Sequence, residues 1–224
     1  MKHVILLLLA SFLLLGSAMP QDKLKIYRKR RQLSKTTKAP EPYGKVKKAQ
    51  SKKSLFVIQK HDASHLHYDL RLEIDGVLAS WAIPKGLPEA SDERRLAMPT
   101  DDHPMEYTDF EGIIPEGHYG GGTVMVWDIG TYENIKKKNG KSISMDEARK
   151  QGSIEVFLKG KKIWGPYAII KTNLGDKPSW IVLKMKKKIV VSQKRPIKKV
   201  RKDVSALTGR TLKQIATDRD AQWL

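Results

Sequence analysis

The run Leu66-His67-Tyr68-Asp69-Leu70-Arg71-Leu72-Glu73 puts apolar residues at even positions and polar ones at odd positions without a break. A period of two belongs to a β-strand with two unlike faces, so this stretch commits the chain to a sheet. His67, Asp69, Arg71 and Glu73 then share one face. Neighbours on that face lie roughly 7 Å apart at Cα, near enough for a histidine and an aspartate to share one metal ion. Arg71, next along, suits a phosphate or carboxylate, which a guanidinium grips through two N–H bonds. His61 stands close by as a third ligand. The ordinary alternative is the wetted face of an antiparallel strand. Such a face normally carries Lys, Thr and Ser rather than His, Asp, Arg and Glu, so the pattern alone keeps both readings open.

The surrounding text is that of a β protein. Phe56, Ile58 and Lys60 alternate with Val57 and Gln59, Asp75-Gly76 marks a hairpin turn, and Val77 to Ile83 forms the return strand, closed by Pro84 and Pro88. Arg95–Met98, Gly122–Asp128, Ser153–Lys159, Trp164–Thr172 and Trp180–Lys184 read as further strands between turn residues. Ser144 to Gln151 has a helical cast, with Ser144 and Glu147 in capping-box spacing. A terminal helix is expected from near Thr211, and a short one around Lys25 to Leu33 is compatible with the pattern. The predicted fold is mainly β: a small closed or nearly closed β-barrel with one or two short helices and basic flanking arms. No internal repeat is visible.

Charge divides the chain. The net +19 comes from the flanks: Gln21 to Ser54 carries thirteen Lys or Arg against two acids and Lys184 to Lys202 ten against none, whereas Leu55 to Leu183 is slightly acidic. A near-neutral body with basic arms binds polyanions through counterion release, which makes nucleic acid the expected partner ahead of an anionic membrane or a merely solubilising tail. Cysteine is absent, so disulfides, thiolate nucleophiles and Cys-type zinc sites are excluded. Lys2 and His3, the apolar run Val4–Leu15 and the small residues Gly16-Ser17-Ala18 have the layout of a signal peptide cut after Ala18. The run is too short to span a membrane comfortably. A start at Met19 would instead give a cytoplasmic protein. The expected segments are a signal peptide over 1–18, a basic arm over 19–54, a catalytic barrel over 55–188, and a basic linker with a short helix over 189–224.

Of the six histidines, His3 belongs to the leader, and His65 and His118 stand at the start of a strand and in a glycine-rich turn. His103 lies in the acidic, proline-marked run Asp101-Asp102-His103-Pro104-Met105-Glu106-Tyr107, which spacing alone reads as a surface turn.

QKHDASHLHYDLRLEIDGVLASWAIPKGLP, followed by RRLAMPTDDHPMEYTDFEGIIPEGHYGGGTVMVWD, resembles the 3′-phosphoesterase domain of bacterial DNA ligase D and its stand-alone relatives. The resemblance runs from about Tyr27 to Lys186, and the SALTGRTLKQIA segment also looks like sequence found after such domains. It implies a β-barrel enzyme, dependent on manganese or a similar divalent cation, that trims 3′ ends at DNA breaks. Such enzymes remove a terminal ribonucleoside and then the 3′-phosphate to leave 3′-OH. No polymerase or ligase signature is present, so separate ligase and polymerase proteins would be partners in repair. Matched residue by residue, the resemblance puts the metal ligands at His61, His67 and Asp69 and the phosphate-contacting groups at Arg71, His103 and Tyr107, with Gln59, Lys85 and Arg95 in second rank. The sequence departs from the family at Arg30-Arg31-Gln32-Leu33, where the family's basic-acidic-aromatic run lacks its acid here.

The chemistry these residues imply is attack on phosphorus, by water or by the substrate's own 2′-OH, with His103 protonating the leaving oxygen and Tyr107 orienting the phosphate. Two rivals follow from the same residues. One is a basic-armed nucleic-acid-binding barrel with a vestigial site. The other is a non-haem iron oxygenase using His67 and Asp69, disfavoured because the second histidine precedes that pair.

Overall fold

The computed structural model describes residues 23–33, 54–173, 179–186 and 201–218. The expected leader, most of the amino-terminal arm and most of the linker after Lys188 lie outside the described residues. Helix α1 (Lys25–Leu33) precedes strands β1 (Leu55–Asp62), β2 (Leu66–Ile74), β3 (Val77–Ile83), β4 (Arg94–Pro99), β5 (Gly112–Ile114) and β6 (Gly122–Asn134). A small ribbon, β7 (Lys137–Lys138) with β8 (Lys141–Ser142), leads to α2 (Met145–Lys150), then β9 (Ser153–Gly160), β10 (Trp164–Thr172), β11 (Ser179–Lys184) and α3 (Leu212–Asp218).

Pairing runs β1-β2-β3-β4-β11-β10-β9-β6, and β6 returns to β1, which closes an antiparallel barrel of eight strands as expected. The Asp75-Gly76 turn has both residues at positive φ, 49° and 78°, the two-residue geometry whose twist suits the flanking strands. That turn fixes the register of β2 on β3 and sets Arg71 opposite Ser80.

The interior is filled by Phe56, Ile58, Leu70, Leu72, Trp81, Met125, Leu158 and Ile169, none more than 1% exposed. Ala148 of α2 and Ile215 of α3 join the same cluster. A second, smaller cluster of Leu78, Tyr107, Ile114 and Val124, with Met105 and Phe110 against it, lies apart from this interior. It exists because the segment after β4 folds back over the outside of β1, β2 and β3, pinned where Leu78 and His103 exchange two backbone hydrogen bonds of 2.8 and 3.0 Å. Every residue of β3 is therefore buried. The wetted face allowed for β2 is corrected in the same way: Asp69 and Arg71 are buried under this outer layer.

β6 continues six residues beyond the expected end at Asp128. Asp and Gly ordinarily close a strand, but here β6 gains a new partner, β9, from Gly130 onward while still paired with β1. Asp128 is itself fully buried. Its carboxylate accepts backbone N–H bonds from Ile129, Lys161, Lys162 and Ile163, so it serves as the acceptor for the tight turn between β9 and β10. Burial pushes the Asp128 carboxyl up, and those N–H groups pull back part of the shift.

Residues 201–218 pack on the barrel. Ala206 N–H donates to the Val126 carbonyl at 2.8 Å, Trp127 Nε1 to the Lys202 carbonyl at 2.7 Å, and Thr208 and Arg210 both reach the buried Glu111 carboxylate. α3 starts on a reciprocal cap in which Thr211 and Gln214 each accept the other's backbone N–H. Among the described residues no helix is long and apolar enough to cross a membrane.

Asp128→Ala would leave several buried N–H groups without an acceptor. Urea unfolding is expected to give a loss on the order of 3 kcal/mol, more than an exposed Asp→Ala substitution costs.

Candidate active site

Two hairpin registers assemble the site. On β1 and β2, His61 faces His67 and Gln59 faces Asp69; on β2 and β3, Arg71 faces Ser80. Opposed residues of an antiparallel pair share a face, so the side chains of three strands meet on one outer surface of the barrel.

Arg71 is the hub. It is 4% exposed. Its Nε donates to Gln59 Oε1 at 2.8 Å, Nη1 to Ser80 Oγ at 2.9 Å and lies 2.9 Å from His103 Nδ1, and Nη2 donates to Asp69 Oδ2 at 3.1 Å. A guanidinium has five N–H groups, and Gln59, Ser80 and Asp69 take up three of them; His103 Nδ1 also faces the Asp101 carbonyl at 2.8 Å, which can only accept. The grip on phosphate expected from sequence would draw on the guanidinium charge and on the N–H groups that these three acceptors leave. Gln59, fully buried, spends its own amide on the carbonyls of Tyr107 and Phe110 at 3.1 and 2.9 Å, and so fastens the covering segment to the strand that carries His61.

Asp69 Oδ2 stands 3.6 Å from His61 Nδ1 and 3.8 Å from His67 Nε2. One ligand atom from each of the three residues falls within 4.8 Å of the others. His67 Nδ1 is 2.8 Å from the His65 carbonyl, which fixes that nitrogen as the donor and leaves Nε2 with its lone pair on the Asp69 side. His61 Nε2 is buried with no partner among the described residues. Two imidazoles, one carboxylate and an orphaned ring nitrogen make a donor set suited to a divalent ion. Burial would raise the Asp69 carboxyl, but the Arg71 guanidinium, hydrogen bonding to His61 and the charges of His67 and His61 outweigh it and hold the group well below the usual carboxylate range.

The surface turn read around His103 is also corrected. The backbone of His103 is bonded to β3, Asp102 is gripped through two N–H bonds by Arg149 of α2, and His103 is 8% exposed. His103 Nδ1 lies 2.8 Å from the Asp101 carbonyl. Tyr107 follows in a 3-10 turn over Met105–Asp109; its ring sits 4.9 Å from the His103 ring and 5.1 Å from the Arg71 guanidinium.

All six leading residues, His61, His67, Asp69, Arg71, His103 and Tyr107, line one cleft of about 260 Å³. Gln59 lies behind it, under Arg71. Lys85 is exposed in the turn after β3, and Arg95 on β4 pairs with Glu93; neither is among the cleft-lining residues. Sequence reasoning missed Tyr27, Thr100, Tyr119 and Gly120, which complete the walls. The glycine-rich turn carries a usable signal for the last two. A Cβ on Gly122, at φ +139°, would sit 2.2 Å from the Asp62 carbonyl, so only glycine lets this loop close on the end of β1 beside His61. Tyr27 has no such signal.

A profile of the DNA ligase D 3′-phosphoesterase domain matches residues 59–171. The chain is also similar to the multifunctional non-homologous end joining protein LigD of Mycolicibacterium smegmatis, 46% identical over 165 residues, or 74% of this chain and 21% of that protein. The Mycobacterium tuberculosis DNA repair protein of the same description is 45% identical over 165 residues, 74% of this chain and 20% of its own length. The Pseudomonas aeruginosa protein is 43% identical over 171 residues, 75% of this chain and 19% of its length. The chain thus spans about a fifth of the curated relatives it matches.

Asp69 gives a pH signature. Its carboxyl is depressed in the folded state, so its contribution to stability is complete above the unfolded value of about 4 and drains away as pH falls below it. In metal-free urea unfolding, the stability gap between wild type and Asp69→Asn is expected to be full at about pH 7 and to shrink between roughly pH 4 and pH 2. A gap that widens on acidification would contradict this.

Proposed function

The chain belongs to the DNA ligase D 3′-phosphoesterase domain family, and from that premise we propose that it is a divalent-metal-dependent enzyme that removes a 3′ ribonucleoside and a 3′-phosphate from DNA or RNA–DNA ends, leaving 3′-OH for break repair. The observation that carries this reading is the convergence of His61, His67 and Asp69 beside a buried Arg71 and His103 in one cleft. Nucleic acid is the proposed substrate, manganese or a similar cation the proposed cofactor, and ligase and polymerase proteins the proposed partners in repair.

His61, His67 and Asp69 would hold the ion, which when bound supplies Lewis-acid polarisation of a phosphate oxygen. Asp69, kept ionised by Arg71, stays available as a ligand at any physiological pH. Arg71 contributes fixed positive charge and its remaining N–H groups to the phosphate from a buried, already oriented position, so little reorganisation is needed as negative charge develops. His103 gives its proton to the leaving oxygen as the P–O bond breaks. Tyr107 limits where the phosphate can sit. The exposed Lys25, Arg28 and Lys29 lie on α1, the helix whose Tyr27 lines the cleft, and their basic charge draws in the polyanion without reading its sequence.

The test is release of inorganic phosphate from a 3′-phosphorylated primer with manganese present. Chelation, His67→Ala or Asp69→Ala is expected to lower the rate by at least about a hundredfold on both phosphodiester and phosphomonoester ends, because two ligands hold a labile ion poorly. DNA binding without turnover under any divalent ion would favour the vestigial-site barrel. Replacing Lys25, Arg28 and Lys29 together by Gln is expected to flatten the slope of log affinity against log salt by about one for each phosphate no longer neutralised, with hydrolysis of a small phosphoester unchanged.

A further inference from the structure

Resting on the phosphoesterase reading, we propose that Tyr27 of α1 is a positioning residue that holds the His103 imidazole in line for proton transfer. His103 sits on a connecting segment, not on a barrel strand, and its ring is held at Nδ1 by the Asp101 carbonyl and flanked by two tyrosine rings. Tyr107, from the same segment, lies at a centroid distance of 4.9 Å and 60°; Tyr27, from a helix far away in sequence, lies at 4.9 Å and 58°.

The helix gives up its usual preference to make this contact. It leaves Ile26 61% exposed and buries Tyr27 to 7%, although isoleucine gains more from leaving water than a tyrosine whose hydroxyl must be kept solvated or bonded. Tyr27 also belongs to the cleft wall. The rest of α1 is fastened around the same histidine. Arg30 Nη1 lies 3.2 Å from Asp101 Oδ2 and donates to the Tyr119 hydroxyl at 2.9 Å, and the Asp101 carbonyl is the oxygen 2.8 Å from His103 Nδ1. Just ahead of the helix, Lys23 Nζ bonds Asp75 Oδ2 at 3.1 Å in the β2–β3 turn. The helix therefore bears on His103 twice, directly through the Tyr27 ring and indirectly through Arg30 and Asp101. Without the Tyr27 ring, a gap the size of a benzene ring opens beside the imidazole. Small misplacements of an acid group cost rate and not binding.

The experiment compares full-length wild type, Tyr27→Ala, Tyr27→Phe and Arg30→Gln on a 3′-phosphorylated primer and on a small aryl phosphomonoester, with manganese. Tyr27→Ala is expected to lower kcat about tenfold to a hundredfold on both substrates with KM within about threefold, and Tyr27→Phe to restore most of the rate. Arg30→Gln should fall between them. A loss confined to KM on the primer would make the helix a DNA contact only and overturn the proposal, as would Tyr27→Phe failing as badly as Tyr27→Ala. Wild type inert on both substrates would retire the phosphoesterase reading instead. The placement of the ring is then read by NMR: the Tyr27 ring current adds to that of Tyr107, so the His103 ring-proton shifts should match in wild type and Tyr27→Phe and differ in Tyr27→Ala, and equal shifts in all three would overturn it.

Discussion

A guanidinium removed from water must have its hydrogen bonds replaced, and in this molecule that requirement organises everything around it. Arg71 is buried, so Gln59, Ser80, Asp69 and His103 have to arrive around it from four separate positions in the chain. Gln59 meets its own needs by capturing two carbonyls of the covering segment. The result is a closed chain of obligations. Removing one member exposes the others to an unpaired buried charge, which costs far more than the single bond removed.

The same strand therefore serves two interiors. Leu70, Leu72 and Ile74 of β2 pack into the barrel with the large aliphatics, and Asp69 and Arg71 lie in a polar layer beneath the segment from His103 to Ile114. This explains how a carboxylate buried almost completely remains ionised: the layer is buried but densely charged, and Arg71, the hydrogen bond to His61 and the histidine charges together outweigh the loss of solvent. A site built on strand positions is held by the ladder itself, whereas His103 and Tyr107 are held by contacts made after the barrel closes.

That difference accounts for what could be read in advance. Alternation and a two-residue turn determine register, so His67, Asp69 and Arg71 on one face were legible, and counting back from Asp75-Gly76 would have set Ser80 against Arg71. The resemblance added His103 and Tyr107, which no periodicity marks. Spacing misjudged His103 because a proline-flanked acidic run looks the same on a surface as it does clamped by Arg149 and bonded to β3. Tyr27 was out of reach for a plainer reason: a tyrosine in a lysine- and arginine-rich helix carries no sign of which distant residue it will meet. The continuation of β6 past Asp128 was hidden similarly, since an Asp that ends strands elsewhere is here a buried acceptor for a neighbouring turn.

Both described flanks are sewn to the barrel, α1 at the cleft and residues 201–218 through Val126, Trp127 and Glu111. Within the described residues, the barrel closes on itself and its flanks cover part of its outer surface, so its core is completed by its own strands and helices. The part of this chain that is similar to about a fifth of much larger end-joining proteins includes most of that fastened barrel.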